Sequence, residues 1–468
     1  MDVLRSQAVK PSRVRRPEAA TKLPEDQHAV DTFRRHLKRH ASRMADVVST
    51  FERRWKRQGV DTLHGIGIPL RPLFIPRARL DALSEGFHEG MRRIVSAMRG
   101  AIHDPVALDR QVPVGAKLLR LLAPGLESPH TLTWFRPDGF LLKDRYVVGE
   151  INYGNGVVVS IGYTECLFDL FSNHPAHQSA GFDRSDLDRP FMGWLAAIEA
   201  AIDYHRPAHV VLLSHHEEWP FVVDDSPRVR HQVEQAAKRL LARGLSVSFA
   251  HEDEAYVDAR GRARVKGSSL PVDLFVVVTI SSSFIDDPAP LRQAARPLVG
   301  THVGRAPILK PLIGVAMDKG ILPWANAVGA LPVECSDGSH VVAPDTWYVG
   351  PESKPWLQDN QRQLVIKRSF IAKDTVIGVA STKEDWSAAI DRSANREYVV
   401  QRYQSLPRTE MPVLIDGRVE WIPVRVEFTP FIVHGRYSGA LARYAPDAPG
   451  LVLSPPPDGM GMTMVHAT

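Results

Sequence analysis

Arg136, Asp138, Glu150 and Asn152 are the residues whose types and spacing most directly suggest chemistry. They lie in the stretch from Trp134 to Tyr163. Leu141–Leu142 and Tyr146–Val148 read as two strands joined by a turn at Lys143–Arg145. Such a hairpin brings Asp138 toward Glu150. Glu150 and Asn152, two apart, share one strand face, and Arg136 shares the face of Asp138. Three hard oxygen donors of this kind suit Mg²⁺, which favours carboxylates together with phosphate oxygens. A guanidinium beside them could steady charge on a transferring phosphoryl group. The spacing alone also fits an exposed hairpin with scattered charges, a common surface pattern.

The rest of the chain must position these residues. It has 468 residues, 44% hydrophobic and 24% charged, which predicts a globular protein of two or three domains. Arg5, Lys10, Arg13, Arg15 and Arg16 precede every acid except Asp2, so residues 1–25 read as a disordered basic tail. Val30, Phe33, Leu37, Met44, Val47, Val48, Phe51 and Trp55 recur at helical spacing, giving an amphipathic helix or helical pair packed on the body. Residues 60–205 mix short apolar runs with Pro and Gly turns.

A clearer unit follows. His209–Leu213 reads as a buried strand, Ser226 and Pro227 as a helix start, Gly244 as its C-terminal cap, and Leu245–Ala250 and Asp273–Ile280 as further strands. Strand, helix, strand predicts a parallel sheet. The loop Ser214–Trp219 has no glycine-rich phosphate turn, so this unit reads as a substrate-side domain. Glu217 or Glu218 could bind or deprotonate an amine, though a solvent-exposed loop is the plainer account. The adjacent His215 and His216 point to opposite faces and do not make a zinc pair. Cys166 and Cys335 are too few and too far apart for a disulfide framework, which fits a reducing cytoplasm. No apolar run reaches the roughly 18 residues of a membrane span. The basic tail brings no aromatic or helical readers with it, which argues against nucleic acid as a partner.

The pattern R-x-D, eleven residues, E-x-N resembles glutathionylspermidine synthase and its circularly permuted ATP-grasp relatives. The resemblance implies that Asp138, Glu150 and Asn152 bind Mg²⁺ and that Arg136 serves the transferred phosphate. Met317–Pro323 resembles the family's N-K-x-x-L-P segment, with Asp318 in place of Asn and Lys319 facing ATP phosphate. Leu364–Lys367 resembles the strand whose lysine reaches the nucleotide. Glu397–Tyr403 with Leu406–Pro407 resembles the adenine-binding strand, which marks Gln401, Arg402 and Tyr403. Gly439–Arg443 resembles the G-x-x-x-R element, with Arg443 near the substrate carboxylate and the phosphates. The elements span residues 134–443 in family order.

By this resemblance the fold is mixed α/β, a circularly permuted ATP-grasp with a preATP-grasp-like parallel-sheet domain. The division expected is the tail at 1–25, the helical segment at 26–60, a first ATP-grasp portion with the hairpin at 61–205, the substrate domain at 206–300, and the nucleotide-binding portion at 301–468. The implied activity is ligation of a small-molecule or peptide carboxylate to an amine through an acylphosphate, with ATP and Mg²⁺. The alternatives are a small-molecule kinase on the same scaffold, or a nucleotide-binding protein without catalysis. Two departures stand out. The family's glycine-rich lid is replaced by Ser369–Gly378, where Lys373 could supply the missing positive charge. The Ser/Thr-rich segment after E-x-N, which helps hold glutathione, is replaced by Tyr153–Val157, which argues against glutathione as substrate. The amidase domain of some family members has no counterpart before Arg136.

Overall fold

The computed structural model describes residues 21–57, 68–104, 126–128, 130–152, 155–187, 189–202, 208–214, 234, 236–279, 302–309, 319–349, 353–369, 375–393, 398–447 and 461–468. In chain order come helices α1 (Gln27–Arg39) and α2 (Met44–Arg57), strand β1 (Leu73–Ile75) and helix α3 (Arg77–Ala101). The hairpin β2 (Trp134–Leu141) and β3 (Arg145–Asn152) leads into helices α4 (Asn155–Ser172), α5 (Pro175–Ser179) and α6 (Pro190–Ala201). Strands β4 (His209–Ser214), β5 (Ser246–His251), β6 (Ala255–Val257), β7 (Ala263–Val265), β8 (Leu274–Thr279), β9 (His302–Val303) and β10 (Ala306–Leu309) follow. Then come α7 (Ile321–Ala327), β11 (Val333–Glu334), β12 (His340–Val342), β13 (Thr346–Tyr348), α8 (Lys354–Asp359), β14 (Leu364–Arg368), β15 (Thr375–Ile377) and α9 (Lys383–Ser393). The chain closes with β16 (Tyr398–Arg402), β17 (Arg408–Ile415), β18 (Arg418–Val433), β19 (Arg436–Pro446) and β20 (Gly461–Ala467).

The result is mixed α/β. A nine-stranded sheet runs β1-β20-β19-β18-β2-β3-β12-β11, with β17 also on β18. β1 lies parallel to β20 and β12 parallel to β3, while the strands between them are antiparallel. A second sheet, β5-β4-β8-β10-β9, is parallel except at β9. A third, β13-β16-β14-β15, is antiparallel. The parallel sheet expected from residues 209–280 is thus present, and Gly244 has the positive φ, 79°, of a helix-ending glycine. Only residues 234 and 236–241 of the helix between β4 and β5 are described, so the start read at Ser226 lies outside the described residues.

The two large sheets share their cores. One apolar cluster joins Leu83, Phe87 and Met91 of α3 to Phe135, Tyr146, Val426 and Phe428 of the nine-stranded sheet. The other sets Phe33, Leu37, Phe51 and Trp55 of α1 and α2 with Phe171, Trp194, Phe431, Leu441 and Met464. Asp26 caps α1 by accepting from the Ala29 amide at 3.1 Å. The segment before it is held by a buried ion pair, Arg71 Nη1 to Glu25 Oε1 at 2.6 Å.

The region read as short runs and turns contains instead the 25-residue helix α3. Gly86 and Gly90 are part of the reason it reads as irregular. They are helical because space demands it: a Cβ at Gly86 would stand 2.6 Å from Cys335 Sγ, and one at Gly90 3.0 Å from Leu331. No described helix is long and apolar enough to cross a membrane.

Candidate active site

The hairpin register sets Arg136 opposite Asn152 and Asp138 opposite Glu150, with a bulge between Asp138 and Gly139. Glycine is required at the bulge, since a Cβ there would land on the Val147 carbonyl and the Tyr146 ring. On the other side of β2, β18 pairs Phe428 with Gly139, and β19 in turn pairs Arg443 with Glu427. The sheet thereby gathers residues from four strands.

Asp138 is the hub. Arg136 donates from Nε to Oδ1 and from Nη2 to Oδ2, both at 3.2 Å. Asn152 Nδ2 donates to Oδ2 at 3.1 Å and Arg443 Nη2 to the same oxygen at 2.6 Å. Burial alone would raise the Asp138 pKa, but Arg136 and Arg443 more than offset it and hold the carboxyl below its ordinary range. Arg443 Nε also lies 3.0 Å from Glu427 Oε2.

The four-stranded sheet carries the lysine side. Leu364, Ile366, Tyr398 and Val400 pack into its own core with Leu357, Trp386 and Ile390 of α8 and α9. Strand alternation therefore turns Val365, Lys367, Val399 and Gln401 to the opposite face, and the register pairs Lys367 with Val399 and Val365 with Gln401. Lys319 is tied to this sheet, its amide donating to Ser369 O at 2.8 Å, while Tyr348 Oη donates to Gly320 O at 3.1 Å.

The two halves meet at Glu150. Lys319 Nζ, on a side chain only 3% exposed, stands 3.4 Å from Glu150 Oε2 and makes no hydrogen bond among the described residues. Burial lowers Lys367 to about 8, helped by the nearby charge of Lys319 and opposed by Glu150 and Glu427. Lys367 therefore feels the acidic face directly.

Of the residues singled out in the sequence, Arg136, Asp138, Glu150, Asn152, Lys319, Lys367 and Arg443 come together here. Gln401 faces the same side with its Nε2 unbonded among the described residues. Arg402 turns to the edge, Nη2 to Asp345 at 2.8 Å, and Tyr403 donates its amide to Gln363 O at 2.7 Å. Lys373, His215, His216, Glu217 and Glu218 lie outside the described residues.

Glu427 was missed. With 16% of its side chain accessible, it is crowded by protein, and that burial pushes it up to about 7; Asp138 and Glu150 add to the rise against the pull of Arg443 and Lys367. Its signal was a lone acid inside the run Val426–Val433, which is apolar but for Thr429. Among the described residues, no three His, Cys, Asp or Glu side chains are grouped so as to hold an ion by themselves.

No protein-family model and no curated protein matches the chain. Among solved structures, a glutathione synthetase-like effector (GSS30) from Globodera pallida, in apo form, aligns over 96% of this chain and 100% of its own, with TM-score 0.52 and 12% identity. A protein described as a gamma-glutamylcysteine synthetase from Methylobacillus flagellatus KT aligns over 83% and 89%, with TM-score 0.36 and 10% identity. D-alanyl-alanine synthetase A from Vibrio cholerae O1 biovar eltor aligns over 47% and 67%, with TM-score 0.25 and 13% identity. In its fold, this mixed α/β chain is similar to the glutathione synthetase-like effector along nearly its whole length.

Proposed function

We propose that this chain is an ADP-forming, ATP-dependent ligase of the ATP-grasp kind that joins a small-molecule or peptide carboxylate to an amine. The observation that carries the proposal is the meeting of the acidic face of Asp138, Glu150 and Asn152 with the two lysines, Lys319 and Lys367, across Glu150. The likeness in fold to a glutathione synthetase-like effector agrees with it.

Mg²⁺ fits the site by donor chemistry: two carboxylates and an amide oxygen are hard ligands, and too few to enclose an ion without phosphate oxygens. When bound, the ion would supply positive charge that neutralises the phosphates. Asp138, Glu150 and Asn152 would hold it. Lys319 and Lys367 would receive the phosphates, Lys319 with an ammonium that makes no hydrogen bond among the described residues. Lys373 would add charge from the lid. Gln401 to Tyr403 would line the base, Gln401 through its Nε2, which is unbonded among the described residues. Arg136 would face the phosphoryl group in transfer and Arg443 the carboxylate substrate.

In the reaction, a substrate carboxylate oxygen attacks the γ-phosphorus and the bond to the β,γ-bridging oxygen breaks, giving an acylphosphate and ADP. The amine nitrogen then attacks the acyl carbon. Phosphate leaves, and the amine gives up a proton to yield the amide. The residues named supply orientation and charge compensation rather than covalent chemistry. Cys166 and Cys335 are not bonded to each other, and a cytoplasmic setting is part of the proposal.

The test is ADP release across pairs of acids and amines, with hydroxylamine replacing the amine. A hydroxamate formed only with ATP and the acid is the expected result. A stable phosphorylated product would instead make the protein a kinase, and AMP with pyrophosphate would overturn the assignment.

A further inference from the structure

Arg443 sits between two carboxylates. Its Nε lies 3.0 Å from Glu427 Oε2, and its Nη2 donates to Asp138 Oδ2 at 2.6 Å. Nη1 has no hydrogen bond among the described residues. A guanidinium can meet a carboxylate side-on, through Nε and Nη2, or end-on, through Nη1 and Nη2. Here Nε and Nη2, the two nitrogens of the side-on edge, face two different acids.

We propose that Glu427 is a positioning residue for Arg443, holding its Nε so that only the end-on edge is presented to the carboxylate substrate. This rests on the ligase reading for the identity of the ligand, but not for the pinning itself. The register explains why Glu427 can do this: it is the direct cross-strand partner of Arg443 on antiparallel β18 and β19, so the pair is set by backbone pairing rather than by two flexible side chains finding each other. Asp138 lies across β18 on β2, so the guanidinium is fixed at two points from two neighbouring strands. A long, flexible side chain held at two points loses little freedom when substrate arrives, which favours tight and directional binding. The consequence is a specificity rule. An end-on arginine takes one carboxylate head-on and disfavours acids that need a fork along the Nε side.

The pinning can be read without a substrate. Phenylglyoxal, which attacks accessible guanidinium groups, is applied to the full-length protein, and adduct at Arg443 is followed by mass spectrometry. Wild type should react slowly at Arg443. Glu427→Ala should react about tenfold faster, the scale of one lost charge-assisted contact. Glu427→Gln keeps the side chain's length but not its charge and should react at a rate between the two. Equal rates in wild type and Glu427→Ala, or a Glu427→Gln as fast as Glu427→Ala, would overturn the proposal. Thermal melting and MgADP calorimetry check the fold; should Glu427→Ala fail them, Glu427→Asp replaces it, and its shorter reach should give intermediate reactivity. With an acid found by ADP release, Glu427→Ala should raise KM for that acid more than it lowers kcat. Absence of any active acid would sink the ligase reading while leaving the reactivity result to decide the pinning.

Discussion

At the scale of single residues, the site is a problem of charge. Three carboxylates and four cations share one region, and their separate burdens differ. Asp138 is compensated by two arginines, whereas among the described residues Glu150 has the longer contact with Lys319. Glu150→Gln should therefore lower turnover by about a hundredfold, as for loss of one electrostatic stabiliser, with an unchanged melting temperature. A drop of several degrees in melting would mean that Glu150 is structural. Lys367 makes a pH prediction. Its ammonium is held near 8, so the charge is present below that value and lost as pH rises through it. Metal-free ATP affinity should fall between pH 7 and 9 in wild type and stay flat in Lys367→Met, whose affinity is already weaker by about 2 kcal/mol; equal slopes in calorimetry would refute the assignment. Much of this was legible in the sequence, because R-x-D and E-x-N encode a strand face directly. Glu427 was not, because a single acid in an apolar run says nothing about which charges lie across the sheet from it.

At the scale of elements, legibility followed whether the local pattern and the tertiary environment agreed. The β2–β3 hairpin and the strands β4, β5 and β8 are apolar runs between turns, and they were readable. Helix α3 was not, because Gly86 and Gly90 weaken helix propensity locally and are kept for close packing on Cys335 and Leu331. Gly139 is the most constrained glycine near the site. A methyl there meets backbone, which cannot swing aside, so Gly139→Ala should cost about 1–3 kcal/mol. Denaturant unfolding measures this. Because the bulge aims Asp138, metal-dependent activity should fall along with stability; a variant as stable as wild type would show that the bulge tolerates a side chain.

At the scale of the whole molecule, a cluster of neutral imidazoles is built into the core. His174, His177 and His466 are at most 2% exposed and stand among Phe33, Phe74, Phe171 and Phe182. Burial lowers His174 to about 3 and His177 to about 4, and it lowers His466 as well. Since their folded values lie below the ordinary 6.5, they cost nothing above that pH and oppose folding as pH falls below it. The melting temperature should drop between pH 7 and 5, and His466→Phe should flatten the drop; a His466→Phe profile parallel to wild type would acquit the cluster. The sheet order has a further consequence, for the time course of folding. Among the described residues β1 pairs with β20, Leu73 with Val465, and Asp138 meets Arg443 across a separation of 305 residues. Contacts that distant close large loops and form slowly. The contact of Arg443 with Asp138 should therefore form later than the local one of Arg136 with Asp138. A competent site then depends on that late closure, because Asp138 has Arg136 beside it on its own strand but meets Arg443 only when β19 is in place.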